Sequence, residues 1–527
     1  MQQIQCSKTI HTDLLIVGAG IGGLAAAVEA CDCGLNATLI SKAIIGSGAS
    51  YFPLKATLGI QVTGDQADQA HFQQDIARVA QGQNNPKIVQ AYIEDSPQAI
   101  ELLERIGFNP WKRNDNRPAC FAHYARPIYL INQWREAAQR AKQILQEKQI
   151  TFYEHATLLY IATHENHVQG AVFELKTDEN IEYIFCHTPH IILASGGIAG
   201  LYKDNLYPAD VIGSTHVVAQ QAGAKLVNLE FIQFIPAFVE PKYKVLFGEH
   251  TLKYVEKVTD SQGRDLFPHL SAEQFQQMMR ERSAYAPFSI DFACVEFDLV
   301  MMKHLLSHPE EKGIYLHYSP ALYQDQEEFY RVYLEWLDRE VGIHLLRDRV
   351  AISPFAHSCN GGIVIDEHAQ TNVEGLFAVG EVSSCIEGAN RLGGNSVGGS
   401  LVFAKRAVAQ IMQKSARISP LVTAELARKQ AEDYFSALAN PNGDRMFTPS
   451  QVLAEIRKQM SSFANVYRTT ENLMAVQRHF QALERQFVPL AHLAYQGIEI
   501  YHALKTAQCV IAAMLARAQS LGAHYRA

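Results

Sequence analysis

TDLLIVGAGIGGLAAAVEACDCG, residues 12–34, decides how the chain begins to fold. Residues 13–17 read as a short apolar strand. The alanine-rich stretch over 20–33 reads as a helix, and Gly34 stops it. A second strand, NATLI, follows at 36–40. Strand, helix and strand in this order belong to a parallel sheet. Between the first strand and the helix lies Gly18-x-Gly20-x-x-Gly23, with Ala19 and Gly22 on the same turn. Gly18 permits the tight turn, and Gly20 lets backbone approach a pyrophosphate lying on the helix N-terminus. Gly23 lets the helix pack close to the sheet. The pattern predicts a dinucleotide cradle.

Working outward, the acidic residue usual at the end of the second strand is missing. The sequence there is LISKA, so Ser41 and Lys42 are expected to meet the adenosine side. Two further strand ends carry glycines. ILASGG (192–197) brings Ala194, Gly196 and Gly197, and GLFAVGEV (375–382) brings Gly380 and Glu381. Three such ends at the carboxyl edge of one sheet suit a long dinucleotide such as FAD. FAHSCNGGIVID (355–366) sets His357 before a double glycine, and EGANRLGGNSVGGSLVFA (387–404) sets Arg391 on a bare glycine backbone.

The bulk numbers narrow the class. At about 100–200 residues per domain, 527 residues predict two to four domains. Hydrophobic residues make 48% and charged residues 19%, which fits a large buried core. A net charge of −8 argues against nucleic acid or an anionic membrane surface as partner. The apolar runs are too short to span a bilayer, and MQQIQCSKTIHTD has no signal-peptide core, so a cytoplasmic protein is expected. Nine cysteines without paired spacing, Cys31 and Cys33 included, read as thiols in a reducing compartment, with no metal site.

Residues 86–107 read as two helices ending at a glycine, and 151–193 as antiparallel strands. Aromatic, Glu and Lys content rises over 228–350, which reads as an inserted domain. Glycine returns at 361–399, and the chain past 417 has helical spacing throughout. The expected division is 1–227 and 351–416 as two parts of a nucleotide-binding domain, 228–350 between them, and 417–527 as a helical domain.

Taken together, DLLIVGAGIGGLAAA, SKAIIGSGAS, ILASGG, HSCNGGIVIDEHAQTNVEGLFAVGEV, GANRLGGNSVGGSLVFA and the closing RAQSLGAHYR resemble the flavoprotein family of succinate dehydrogenase, fumarate reductase and L-aspartate oxidase. The resemblance implies an α/β fold: a split Rossmann-like FAD-binding domain, an inserted α+β capping domain and a C-terminal helical bundle. It implies hydride exchange between flavin N5 and a small carboxylic or amino acid. Gly18, Ala19, Gly20, Gly22 and Gly23 would hold the pyrophosphate, and Ser41 and Lys42 the adenosine side. Gly48, Ala49, Ser50, Asn395, Ser396 and Val397 would meet the flavin, and Glu381 the ribityl chain. Ala194, Gly196, Gly197, Asp210 and Gly380 would complete the cofactor wall. Arg391 and His357 would take the substrate carboxylate. Some members bind flavin covalently through a histidine in the segment that here reads GSGASYFPLKATLGI. It has none, so non-covalent FAD is expected.

Departures from the family pattern shape the substrate reading. A family histidine is replaced in QFIP by Ile235, and Phe288 stands near the place of a capping-domain arginine. Arg282 lies six residues earlier. The family's Glu-x-x-Arg segment near FGEHTLKYVEK (247–257) lacks its arginine, with His250 and Lys253 close by, and Cys120 or its neighbours stand where a family glutamate is replaced. A more apolar acid with one carboxylate is therefore expected. Arg282, Tyr285, His250 and His357 are the candidates for proton transfer. Three alternatives stay open: an L-aspartate oxidase, a flavoprotein subunit passing electrons to a protein partner, and a flavin-binding scaffold without catalysis.

Overall fold

The strand Leu14–Val17, four buried apolar residues, lies at the centre of a five-stranded sheet. Ile191–Leu193 and Ala37–Ile40 flank it, Leu376–Ala378 and Thr151–Tyr153 form the edges, and every pairing is parallel. Sheets of this kind are covered on both faces and lose the alternation of half-exposed strands. That is why LLIV, ATLI, IIL and LFA are almost uniformly apolar. The computed structural model describes residues 4–51, 57–178, 180–414, 420–438, 447–489 and 496–527.

The helix Ile21–Asp32 follows that central strand and buries its alanine face. Its approach is unusually close: a Cβ on Gly23 would sit 1.8 Å from the Gly18 carbonyl oxygen. The long helix Asn395–Lys414 packs against it and against Pro86–Ala99. There a Cβ on Gly398 would meet the Tyr92 hydroxyl at 2.4 Å. The second helix expected before Gly107 is Glu101–Arg105.

Residues 151–193 depart from the expected run of antiparallel strands. Only Ala156–His164, His167–Lys176 and Ile181–His187 pair antiparallel, with Lys8–His11 added in parallel at the edge. The two ends of the stretch belong instead to the parallel sheet. Alternation could not separate them, because IIL and TFY are too short to show a period.

A second five-stranded sheet has the order Val245–Leu246, Ile232–Glu240, Val350–Cys359, Ile314–Tyr318, Val255–Thr259, all antiparallel. Its core contains Phe238, Phe247, Leu316 and Ile352, closed by Met279 and Phe297 from the helices Ala272–Arg282 and Val295–Ser307. Ser271 and Gln274 form a reciprocal capping box that starts the first of these helices. The strand Val350–Cys359 carries the chain back toward the parallel sheet, and His357 lies near its end.

Helices Ala424–Ala437, Pro449–Phe463, Thr470–Gln486 and Gly497–Ala516 make up most of the described C-terminal part. Ile456, Met460, Phe480, Leu504 and Val510 form one core that also holds Phe234 and Phe288. Gly497–Ala516 lies on helix Ser214–Gln221, where Thr506 Oγ1 donates to the Gly213 carbonyl at 2.9 Å. All nine cysteines are free thiols. Among the described residues no helix is long and apolar enough to cross a membrane.

Replacing glycine by alanine inside a helix normally stabilises by roughly 1 kcal/mol. At Gly23 the sign is expected to reverse. The new methyl collides with backbone, and Gly23→Ala should cost about 1–3 kcal/mol in a urea unfolding titration.

Candidate functional site

The carboxyl ends of the parallel strands open into a cleft. Gly18, Ala19, Gly20 and Gly22 form its floor. Gly18 has φ +109°, and a Cβ there would fall 2.4 Å from the Ala194 carbonyl oxygen, so the turn requires glycine. Gly20 is different. Its φ of −74° suits any residue, and a Cβ would meet nothing within 4 Å. It is bare toward the cleft. It also caps helix Ile21–Asp32 with no side-chain hydrogen bond, and the first turn holds no acid. An uncapped helix N-terminus beneath open space fits an anionic pyrophosphate.

Ser41 and Lys42, at the end of Ala37–Ile40, form one end of the cleft, with Asp210 beside them: Lys42 Nζ donates to the Asp210 carbonyl at 2.6 Å. Gly48, Ala49 and Ser50 lie against the floor, and a Cβ on Gly48 would come within 3.3 Å of Gly20 Cα. Residues 52–56, part of the segment read for flavin attachment, lie outside the described residues. Ala194, Gly196, Gly380, Glu381, Ser396 and Val397 line the remaining wall. Gly23, Gly197 and Asn395 stand behind it. A Cβ on Gly197 would strike the Glu381 carboxylate at 2.4 Å, and buried Asn395 faces Gln61.

Glu381 accepts the Cys359 N–H at 2.9 Å and the Tyr207 hydroxyl. Burial pushes its carboxyl up to about 7, against the pull of Arg391. Arg391 also pulls on Glu387, which burial raises as well. The structure brings together the proposed carboxylate pair: Arg391 Nη2 lies 3.4 Å from His357 Nε2. A guanidinium only donates, so in this contact the histidine nitrogen takes the acceptor role. Neither residue lines the cleft itself, although the Arg391 charge acts on Glu381, which does.

The residues proposed for the capping side take different positions. Arg282 is 2% exposed and binds Asp298 through two contacts, Nε–Oδ2 at 2.7 Å and Nη2–Oδ1 at 3.1 Å. It also donates to the carbonyls of Tyr285 and Ala286. Its guanidinium braces the turn after its own helix. The His250 ring stands edge-on to Tyr330 and Tyr333, and burial with the Lys253 and Arg117 charges lowers it to about 4. Ile235 packs with Leu206, Ala237 and Phe355, while Phe288 is a core residue whose N–H donates to the Phe234 carbonyl. Both are packing residues, so their apolar character describes the core rather than a substrate pocket. Pattern alone could not tell which way they point.

Cys120 marks where these parts meet. Its carbonyl accepts the Gly393 N–H at 3.0 Å, two residues from Arg391. Burial pushes its thiol up to about 11, and the charges of Glu249, Arg282 and Arg391 all act on it. Glu249 is the residue that sequence reasoning missed. Burial raises it to about 7, opposed by Arg282. The signal was an acid inside the apolar run VLFGEH, outside any helical or strand alternation.

A carboxyl raised from its ordinary 4.5 to about 7 keeps its proton when folded and loses it when unfolded in that window. Stability from Glu249 is thus lost as pH rises from 4.5 toward 7. Buried histidines such as His216 and His502, lowered to about 4 and about 3, act in the opposite sense. The difference between variants isolates the carboxyl. In urea titrations Glu249→Gln should gain on the wild type between about pH 5 and about pH 7.5.

Residues 13–397 match the family described as FAD binding domain, well over half of the 527 residues. The fumarate reductase flavoprotein subunit of Escherichia coli (strain K12) is 24% identical over 98% of this chain and 89% of its own. L-aspartate oxidase of Streptomyces coelicolor is 24% identical over 98% of this chain and 88% of its own. Among solved structures, Mycobacterium smegmatis Sdh1 in complex with UQ1 is similar in fold, with TM-score 0.79 and 21% identity over 98% of this chain and 89% of that one. The glycine cradle, the five-stranded parallel sheet and these likenesses agree, and the chain belongs to the FAD binding domain family as an FAD-dependent oxidoreductase of the fumarate reductase and aspartate oxidase kind.

Proposed function

We propose that the protein oxidises or reduces a small carboxylic or amino acid, held by one carboxylate on Arg391 beside the cofactor cleft. The observation that carries this reading is the setting of Arg391. It is half-buried, it donates toward His357, and among the described residues no carboxylate lies within 4.0 Å of it. A planar guanidinium offers two parallel donors to a carboxylate and keeps its charge. FAD, when bound without a covalent link, supplies the hydride chemistry. The chain's own residues anchor, orient and exchange a proton.

Residues 228–350 are proposed as the cap that covers this site. On that side Glu249 is the best-suited proton-exchange group. Its carboxyl titrates near 7, where a group can both give and take a proton. His250 is neutral across that range, and Arg282 is committed to Asp298. Since Ile235 and Phe288 are packing residues, support for an apolar substrate is reduced to the single anchored carboxylate. The relative whose name makes it one component of a fumarate reductase favours a second reading, delivery of the electrons to a protein partner.

The test is anaerobic bleaching of the flavin across amino and organic acids, aspartate, succinate and lactate-type acids included. One class should bleach the flavin with saturation, and Arg391→Met should lower that kcat/KM by about thirtyfold to several thousandfold. Unchanged kcat/KM in that variant would exclude Arg391 as the anchor. Peroxide formed from aspartate would identify the oxidase reading. Turnover that appears only with a co-purified protein would identify the electron-delivery reading. In the pH profile of kcat, the proton-donating direction should fall above about pH 7, and Glu249→Gln should remove that limb. Acid precipitation should leave the flavin in the supernatant.

A further inference from the structure

We propose that Glu499, reaching in from the C-terminal helix Gly497–Ala516, is a cofactor residue whose carboxylate receives the ribose hydroxyls at the adenosine end of FAD. This rests on the reading that the cleft holds FAD with its adenosine by Ser41 and Lys42. In sheets of this type an acid at the end of the second strand accepts the ribose hydroxyls. Here that position is Ser41-Lys42, and an ammonium group cannot accept a hydrogen bond.

The missing carboxylate comes from the other end of the chain. Glu499 Oε1 lies 2.5 Å from Lys42 Nζ, and the Ser214 hydroxyl reaches the same oxygen at 3.4 Å. Glu499 is 2% exposed and lines the cleft. Its second oxygen, Oε2, is buried with no hydrogen-bond partner. A buried carboxylate oxygen without a donor is costly, and a ribose hydroxyl is a donor of the right kind. A phosphate at this end would be repelled by the carboxylate, so the site suits an unphosphorylated ribose. The Thr506–Gly213 bond holds the same helix to the nucleotide-binding part. FAD binding therefore ties the C-terminal helices to the parallel sheet.

The experiment titrates apoprotein with FAD, and with an FAD analogue whose adenosine ribose lacks both hydroxyls, following flavin fluorescence. Wild type should bind the analogue about tenfold to a hundredfold more weakly than FAD. Glu499→Ala should bind FAD weakly by a similar factor and no longer distinguish the two ligands. Glu499→Gln, which keeps one carbonyl acceptor, should fall between, and circular dichroism of each apoprotein checks its fold. Equal binding of both ligands by wild type overturns the proposal without any variant. So does Glu499→Ala that still prefers FAD by the wild-type ratio. Failure of wild type to bind FAD at all would instead overturn the cleft assignment, and the proposal with it.

Discussion

The close contact between Gly23 and the Gly18 carbonyl is the constraint on which the cleft depends. It presses the start of helix Ile21–Asp32 onto the end of the central strand, so the first-turn N–H groups face the opening rather than a neighbouring side chain. Any side chain at Gly23 would push the helix away. The same closeness fixes where the other strand ends must stop. Ala194 N–H donates to the Val17 carbonyl at 2.7 Å, and Val379 N–H to the Leu193 carbonyl at 2.8 Å. One backbone contact thus sets the height of the floor, and the parallel register carries that height across the sheet.

The cofactor side was largely legible in the sequence because backbone constraints leave local marks. A turn that needs φ +109° demands glycine, and a strand covered on both faces demands a run of apolar residues. Sixteen of the nineteen residues expected to hold the cofactor line the cleft, while Gly23, Gly197 and Asn395 do not. The partner of Lys42 was not legible. Glu499 belongs to a helix at the far end of the chain, and no spacing rule connects the two.

The substrate side was harder to read for a different reason. Arg282, Ile235 and Phe288 were placed by pattern, which gives a position along the chain but no side-chain direction. Arg282 turned toward Asp298 because a buried guanidinium needs a compensating charge more strongly than a surface one. Phe288 turned into the core beside Phe234 because burial of an aromatic ring is worth several kcal/mol, roughly, relative to exposure. Glu249 escaped notice because an acid opening a single helical turn carries only a weak mark in the sequence. Its character comes from burial alone.

Burial also shapes the two acids whose charges act on Arg391. Glu381 and Glu387 both feel Arg391, and in water two carboxylates would quench its charge. Desolvation is the largest influence on each and raises both. Glu381, at about 7, is only partly ionised near neutrality, and its oxygens are already engaged by Cys359 and Tyr207. Glu249, on the capping side, is raised to the same degree. Acids whose ionisation is held back in this way offset less of the Arg391 charge than free carboxylates would.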